Sequence, residues 1–580
     1  MSKGLLIAAL LYLALASAYV VKTPAFEGPD ENDHWFYAWQ LANSQAMPVA
    51  RFTARELGRP VIDEAGLAHH PPLYYALLAG AMELAQRRDT VASQLTNPEN
   101  LQSTPAGAFL WLHGADEDAP VSREIRFLRL LRLFSVVCGL VTLVATWVLA
   151  RLAFPRRLAV ADVAALLLAT MPAFSFHHAV LDNGNLAATF AHAALVVLCA
   201  AITAKRFDVR IAIAGGLLLG LCLVTKLTTL ALLPLFGVVA AIAVWNAPRR
   251  GPAAIAMLVG GVVVAAIAGW FFVRNVQLYG DLLGGAAHER VYASIRVPDG
   301  RAIEWLRVGF FPNIFTSLLG MFGNWTVPPH AALVTFGKVI AAVAACGVVF
   351  NLVKPRRDAR KSVVWALVGA AGLVFLATLH FNLTFRQPQG RYLFPAIGPI
   401  AIVLAAGLVR VITPMREAMR HGAGVLFALT LIGVALLTYE KHFVPAFDRS
   451  LVRAPPRHAS LVSACTARSS PPGIVLRGPD DGARLDLPPR LSWEPLQDPD
   501  ARYALYVFTP AGRIYFASHE WLNLELEGDG YDVPSVLWDS LPQGEELIWN
   551  VRRIADRSRH ESPHEMPTGA GRAFVRSPKP

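Results

Sequence analysis

The chain has 580 residues, 54% hydrophobic and only 16% charged, with a mean hydropathy of +0.42. Soluble globular domains carry about 25% charged residues, so the deficit excludes an ordinary soluble enzyme and points to the bilayer. The formal net charge of +11 comes without a zinc finger, basic zipper or aromatic RNA-reading strand, so no nucleic-acid partner is expected and the surplus reads as membrane topology.

Lys3 is followed by an apolar run to Val21. A cleaved signal peptide is the rival reading, but the run ends in Tyr19-Val20-Val21-Lys22 with no small-x-small site, so a retained helix is expected. Residues 22–122 form a polar segment rich in acids, His and Pro, with one amphipathic patch from Pro72 to Ala85 that is too short to span and is expected along the interface. Arg123, Arg126, Arg129 and Arg132 then recur every three residues into an apolar run ending near Ala153. They read as partners of lipid headgroups.

Further apolar runs fall at about 160–178, 185–204, 211–225, 227–245, 253–273, 331–353, 363–379, 395–413 and 423–440, which makes about eleven spanning helices. With the N-terminus in the cytoplasm, Arg156-Arg157, Lys205-Arg206, Arg249-Arg250, Lys354 to Lys361 and Arg416 with Arg420 all lie inside. That is the pattern the positive-inside rule asks for in an integral inner or plasma membrane protein. The segments 22–122, 274–330 and 441–580 and the link 380–394 are then extracytoplasmic.

From about Gly473 the pattern changes to short period-two runs: Arg484-Leu-Asp-Leu, Arg502-Tyr-Ala-Leu-Tyr-Val-Phe, Arg513-Ile-Tyr-Phe and Leu547-Ile-Trp-Asn-Val-Arg, punctuated by Gly-rich turns. These predict a small β-sandwich. The order of Pro488–Trp493, Tyr503–Phe508 and Trp549–Arg552 resembles fibronectin type III-like domains. The expected fold is therefore an all-α polytopic membrane domain over 1–440, a linker over 441–472 and an extracytoplasmic β-sandwich over 473–580.

Cys138, Cys199, Cys222 and Cys346 lie in apolar runs and read as small core residues, while Cys465 stands alone in a polar segment. Neither a disulfide framework nor a CxxC pair exists.

The densest chemistry lies in Phe26-Glu-Gly-Pro-Asp-Glu-Asn-Asp-His-Trp-Phe-Tyr37, directly after the first helix. Glu27, Asp30, Glu31, Asp33 and His34 are packed into eight residues there. An acidic, solvated cap beside the membrane is the plain alternative. His69 and His70 with Asp30 raise a metal hypothesis, but adjacent His do not share a helix face and no third ligand follows at fixed spacing. Substrate hydrogen bonding is the preferred role, no cofactor is expected, and a divalent metal is the lesser alternative.

The Pro29-Asp30-Glu31-x-x-His34-x-x-Tyr37 pattern resembles the first-loop motif of GT-C superfamily membrane glycosyltransferases, which include protein O-mannosyltransferases and aminoarabinose transferases. Four later elements agree in order: His69-His70-Pro71-Pro72-Leu73-Tyr74-Tyr75, Asn183-x-x-Leu186, Leu219-Gly-Leu-Cys-Leu-Val-Thr225-Lys226-Leu and Gln389-Gly390-Arg391-Tyr392-Leu393-Phe394-Pro395. Gly184 departs from the pattern, since relatives often carry Asp there.

The resemblance implies an enzyme that moves a sugar from a polyprenyl-phosphate carrier to an envelope glycan, lipid or protein acceptor on the extracytoplasmic face. A carboxylate base suits an inverting transfer, and the candidates are Asp30 and Glu31, with Asp30 preferred. Guanidinium groups match an anionic phosphate, which singles out Arg391 and, close by, Arg386, with Lys226 as a further cation. His34, His69, His70, Tyr74, Asn183, Gln389 and Tyr392 complete the expected substrate-binding set. His177, His178 and the Arg274, Asp281, His288, Glu289 and Arg290 segment are expected around the same cavity. A transporter or lipid flippase is the rival class, though it would place ionisable groups near the bilayer midplane and show repeated halves. A non-catalytic scaffold presenting the C-terminal domain is the third.

Overall fold

The computed structural model describes residues 2–44, 47–49, 67–86, 108, 109, 111, 113, 117, 121–204, 207–292, 295–354 and 358–449. In the C-terminal region it describes 474–495, 501–508, 514–517, 526–533, 546–553 and 572–577, with a few single residues between. The chain divides into two units. One comprises 1–47, 69–87 and 126–448; the other comprises 48–68, 88–125 and 449–580.

The first unit is helical. Helix α1 (Lys3–Lys22) starts at Ser2, whose hydroxyl caps the Leu5 N–H and donates to Asp162 at 2.6 Å. Leu5, Ala8, Tyr12, Leu15, Ala16 and Tyr19 recur at helical spacing and form its buried stripe. There follow α2 (Glu31–Ser44), α3 (Leu73–Leu84), α4 (Arg123–Ala153), α5 (Leu158–Ala169), α6 (Pro172–His177), α7 (Asn183–Ala204) and α8 (Val209–Leu223). After a 3-10 turn at Leu227–Leu232 come α9 (Leu233–Trp245), α10 (Arg250–Tyr279), α11 (Gly285–Val291) and α12 (Phe311–Gly320). The unit closes with α13 (Ala331–Val353), α14 (Lys361–Asn382), a 3-10 turn at Gly390–Ala396, α15 (Ile397–Ile412) and α16 (Glu417–Thr438).

Among the described residues, nine helical segments are long and apolar enough to cross a membrane. The sequence suggests eleven, and two of the expected spans are shorter helices. The run at 160–178 is split by Pro172, which lacks the N–H that a continuing helix needs, so α5 stops at Ala169 and α6 restarts at Pro172. The run at 211–225 gives the 15-residue α8, which ends where the chain turns at Val224 to Lys226. Both still run between the same two ends of the bundle. At one end Arg157 pairs with Asp358 at 2.7 Å and the Arg360 N–H reaches Ala153 O. At the other, Asp182 and Lys226 meet. Close packing of α8 on α10 requires Gly216, because a Cβ there would lie 2.5 Å from the carbonyl of Gly260.

The expected interfacial patch is α3, a 12-residue helix with Tyr74, Tyr75, Leu78 and Met82 buried.

The second unit carries two sheets. β1 (Val475–Gly478), β3 (Arg490–Glu494) and β6 (Gly530–Asp532) form one, in the order β1-β3-β6. The other runs β2-β8-β7-β4-β5, with β2 (Ala483–Leu485), β4 (Tyr503–Phe508), β5 (Ile514–Ala517), β7 (Glu546–Arg553) and β8 (Arg572–Arg576). The period-two runs fall on β2, β4, β5 and β7. Leu491 and Trp493 of one sheet pack with Tyr503, Leu505, Val507, Trp549 and Phe574 of the other in a single core. One pairing, β2 with β8, is parallel.

Candidate active site

The eight residues between α1 and α2 fold the acidic stretch into its working shape. Phe26 and Asp30 both adopt left-handed backbone, at φ 62° and 57°. Asp tolerates that region better than most residues because its short polar side chain bonds locally. The kink at Asp30, just before α2, sends two adjacent carboxylates to different places.

Glu31 goes inward. Its side chain is fully buried and paired with Arg132: Nε donates to Oε1 at 2.8 Å and NH2 to Oε2 at 2.6 Å. Leu181 N–H donates to Oε1 as well, at 3.0 Å. The remaining Arg132 donors reach the carbonyls of Val20, Thr23 and Pro24. These contacts correct two expectations. Glu31 has both oxygens engaged and no path to solvent, so it is an anchor rather than a base. Arg132 meets Glu31 and not a headgroup phosphate.

Asp30 goes outward. Its side chain is 38% exposed and ion-paired to NH2 of Arg391. Arg391 lies on the 3-10 turn that precedes α15 and is nearly buried. A Cβ at the neighbouring Gly390 would run into the backbone of Leu318, so only glycine lets the turn sit this close to α12. Arg391 Nε donates to Gln389 Oε1 at 2.6 Å, and NH1 donates to Asp182 Oδ2 at 3.0 Å and to Pro29 O at 3.4 Å.

Asp182 was not among the expected residues. It sits just before α7 and is 3% exposed; its Oδ1 accepts from Gly184 N–H at 2.6 Å and from Lys226 Nζ at 3.0 Å, and His34 Nε2 lies 3.8 Å away. A carboxylate thus stands two residues before Gly184, the position at which the motif carries one. The available signal is an acid within the short break between α6 and α7, residues 178–182.

Two carboxylates and two cations therefore interlock, drawn from four separate loops. Since the side chains touch, those loops must share one end of the bundle. Burial pushes Asp182 up, but Lys226 and then Arg391 outweigh it and hold its carboxyl well below the usual range. Asp30 is likewise lowered, with Arg391 outweighing burial. Burial lowers Lys226 despite Asp182 beside it. Asp33, close to this group, is raised to about 7 by burial and by the Asp30 charge.

A neutral polar layer backs the charges. Burial lowers His34 to about 4, more than its acidic neighbours raise it. Its Nδ1 lies 3.1 Å from the Tyr75 hydroxyl, which is 3.3 Å from His70 Nδ1. Asn183 Nδ2 reaches the same His70 nitrogen at 3.3 Å and donates to Thr225 O at 3.1 Å. Tyr75, unforeseen as a site residue, stacks on Tyr37 with centroids 3.8 Å apart. His69 turns away and pairs with His288 of α11 at 3.0 Å. Tyr392 donates to Gln387 Oε1 beside this group.

Two expected contacts are elsewhere. Tyr74 is fully buried with its ring 6.0 Å from His34, a packing role behind the site rather than a substrate contact. Arg386 is exposed, its backbone tied to Ile295 O, and it is absent from the ion pairs of Asp30 and Asp182. Among the described residues, no group of three or more His, Cys, Asp or Glu is arranged to hold a metal ion. A groove of about 380 Å³ lined by Phe311, Phe315 and Lys338 is separate from the charged cluster.

Fold and site together define a polytopic helical protein with a neutralised four-charge cluster at one end of its bundle. No protein-family profile matches the chain, and no curated protein does. Among solved structures, the chain is similar to the archaeal oligosaccharyltransferase AglB from Archaeoglobus fulgidus, in complex with an inhibitory peptide and a dolichol-phosphate. That TM-score is 0.43 at 14% identity, over 80% of this chain and 57% of that one, so the chain spans just over half the oligosaccharyltransferase. It is also similar to ArnT from Cupriavidus metallidurans bound to undecaprenyl phosphate, at TM-score 0.43 and 14% identity over 82% of each chain. The arabinosyltransferase EmbB from Mycobacterium smegmatis follows at TM-score 0.34 and 15% identity, over 71% of this chain and 31% of that one.

Proposed function

We propose that the protein is an inverting membrane glycosyltransferase that moves a hexosyl or pentosyl group from a polyprenyl-phosphate carrier to an acceptor on the extracytoplasmic face. One observation carries this reading. Asp30 is the solvent-open carboxylate of a cluster whose cations, Arg391 and Lys226, come from two of the ordered motifs.

Asp30 takes the acceptor proton as the acceptor oxygen attacks the anomeric carbon from the side opposite the phosphate. Arg391 and Lys226 hold the phosphate and stabilise the charge that builds on it as the carbon–oxygen bond breaks. Asp182 keeps both cations in place, and the Tyr75 hydroxyl, between His34 and His70, fixes both rings from behind. The basic loops support the orientation: the end opposite the cluster carries Arg157, Lys354 and Arg360, the residue types that favour a cytoplasmic end.

The test is Asp30→Asn in membranes supplied with labelled undecaprenyl-phosphate-linked sugar. Asn accepts the same left-handed backbone, so expression and folding should hold while transfer falls by about a hundredfold or more. Wild-type transfer by the Asn variant would overturn the assignment.

A further inference from the structure

The His69–His288 pair lies beside the charged cluster but takes no part in its ion pairs. Each neutral imidazole has one N–H and one lone pair, and burial keeps both rings neutral, His69 lowered to about 3 and His288 to about 4. Their mutual bond, Nε2 to Nδ1 at 3.0 Å, consumes one N–H and one lone pair. Whichever ring donates, the two nitrogens left over, Nδ1 of His69 and Nε2 of His288, are one donor and one acceptor. Both are buried and neither has a hydrogen-bond partner among the described residues; His69 is only 3% exposed. Native proteins seldom leave such atoms unpaired, because water is given up for nothing.

Aromatic rings surround the pair. Tyr292 lies 4.5 Å from His288 and 6.2 Å from His69, and Phe385 and Phe381 lie 4.7 and 5.4 Å from His288. Tyr392, adjacent to Arg391, packs on Phe381 at 5.8 Å, so the wall is continuous with the cation of the cluster. The charges of Asp30 and Asp33 act on the Tyr292 hydroxyl, which puts the wall on the carboxylate side as well. A short antiparallel link, Arg296 with Phe385, holds the two walls together, with Val297 N–H to Thr384 O at 2.7 Å.

One donor, one acceptor and flat apolar rings match a sugar: its hydroxyls both donate and accept, and its C–H face lies on aromatic surface. The rings of this wall carry no charge, so an acidic sugar would find no cation among them. A hydrocarbon tail would leave both nitrogens unpaired. We infer that His69 and His288 form the subsite for the transferred sugar, and that this sugar is a polyhydroxyl ring without an acidic group. The inference rests on the proposed glycosyltransferase reading and specifies which part of the site reads the sugar.

The test measures binding, with the full chain in nanodiscs, of undecaprenyl phosphate and of undecaprenyl phosphoglucose and phosphomannose. Wild type should favour a sugar-bearing lipid over the bare phosphate. His69→Phe and His288→Phe keep a ring and remove its nitrogens; each should weaken the sugar-bearing lipid about tenfold while leaving undecaprenyl phosphate within about twofold. His288→Gln, which restores a donor and an acceptor, should recover most of the loss. A loss shared equally by all the lipids, or an undiminished sugar preference in both Phe variants, overturns the subsite and leaves the glycosyltransferase reading standing. A wild-type chain that binds none of the lipids overturns both.

Discussion

Glu31→Gln or Arg132→Met removes one half of a pair that the structure buries completely. In the wild type, the two Glu31 oxygens accept three hydrogen bonds and every guanidinium nitrogen of Arg132 donates. Either single change strands the other charge without water or counter-ion, and breaking a buried pair in this way costs about 3–5 kcal/mol. The double variant removes both charges together. It should be less destabilised than the sum of the singles by about 2 kcal/mol or more. Cys138, Cys199 and Cys222 are buried and free, so a thiol-reactive dye added during thermal unfolding in detergent reports the loss of structure. The exposed Cys346 adds a background, so the assay is run with Cys346→Ala and Cys465→Ala, which leaves the three buried thiols as reporters. Because the pair fixes α4 to the turn after α1, each single variant should also displace Asp30 and depress transfer. Singles within about 1 kcal/mol of wild type, or a double equal to their sum, would refute the clamp.

Lys226→Met should raise the donor KM about tenfold or more by removing a charged contact to the phosphate; unchanged donor saturation curves would dismiss that role. Stability should also depend on pH. His34, His69 and His288 stay neutral in the fold down to about 4, 3 and 4, whereas an unfolded His takes its proton at about 6.5. Their stability contribution is whole above about 6.5 and is lost as pH falls toward 4. Asp33, raised to about 7, opposes this singly, being protonated in the fold before it is in the unfolded chain. Melting points at pH 7, 5.5 and 4.5 should therefore fall in that order, and His34→Asn with His69→Asn should flatten the slope. Melting points that rise on acidification would falsify the assignment. Asp30 and Asp182, both lowered, add a further loss only in stronger acid.

Much of the architecture was legible because bilayer spans and strand alternation are written in hydrophobic period. What escaped depended on burial. Asp30 and Glu31 are neighbours with the same functional group, and nothing in their order says that one faces solvent and the other a guanidinium. The arginine series misled for a geometric reason. A spacing of three slips about 60° per step on a helix of 3.6 residues per turn, so four such residues sweep about half the circumference. Accordingly Arg123 and Arg126 are exposed, Arg129 is half-buried and Arg132 is 1% exposed. Asp182 lies two residues before the motif position that Gly184 occupies, so the motif does not announce it. The histidine pair joins residues 219 positions apart, which no local pattern announces.

The four-charge cluster is balanced only while it is empty of substrate charge. Arg391 cannot offer its fork to Asp30 and to a phosphate at once, so on the proposed reading an arriving donor withdraws the cation that keeps Asp30 acidic. The carboxylate then holds a proton more tightly. The catalyst is thus armed by its own substrate, and with no donor bound, water meets a carboxylate too weak a base to activate it.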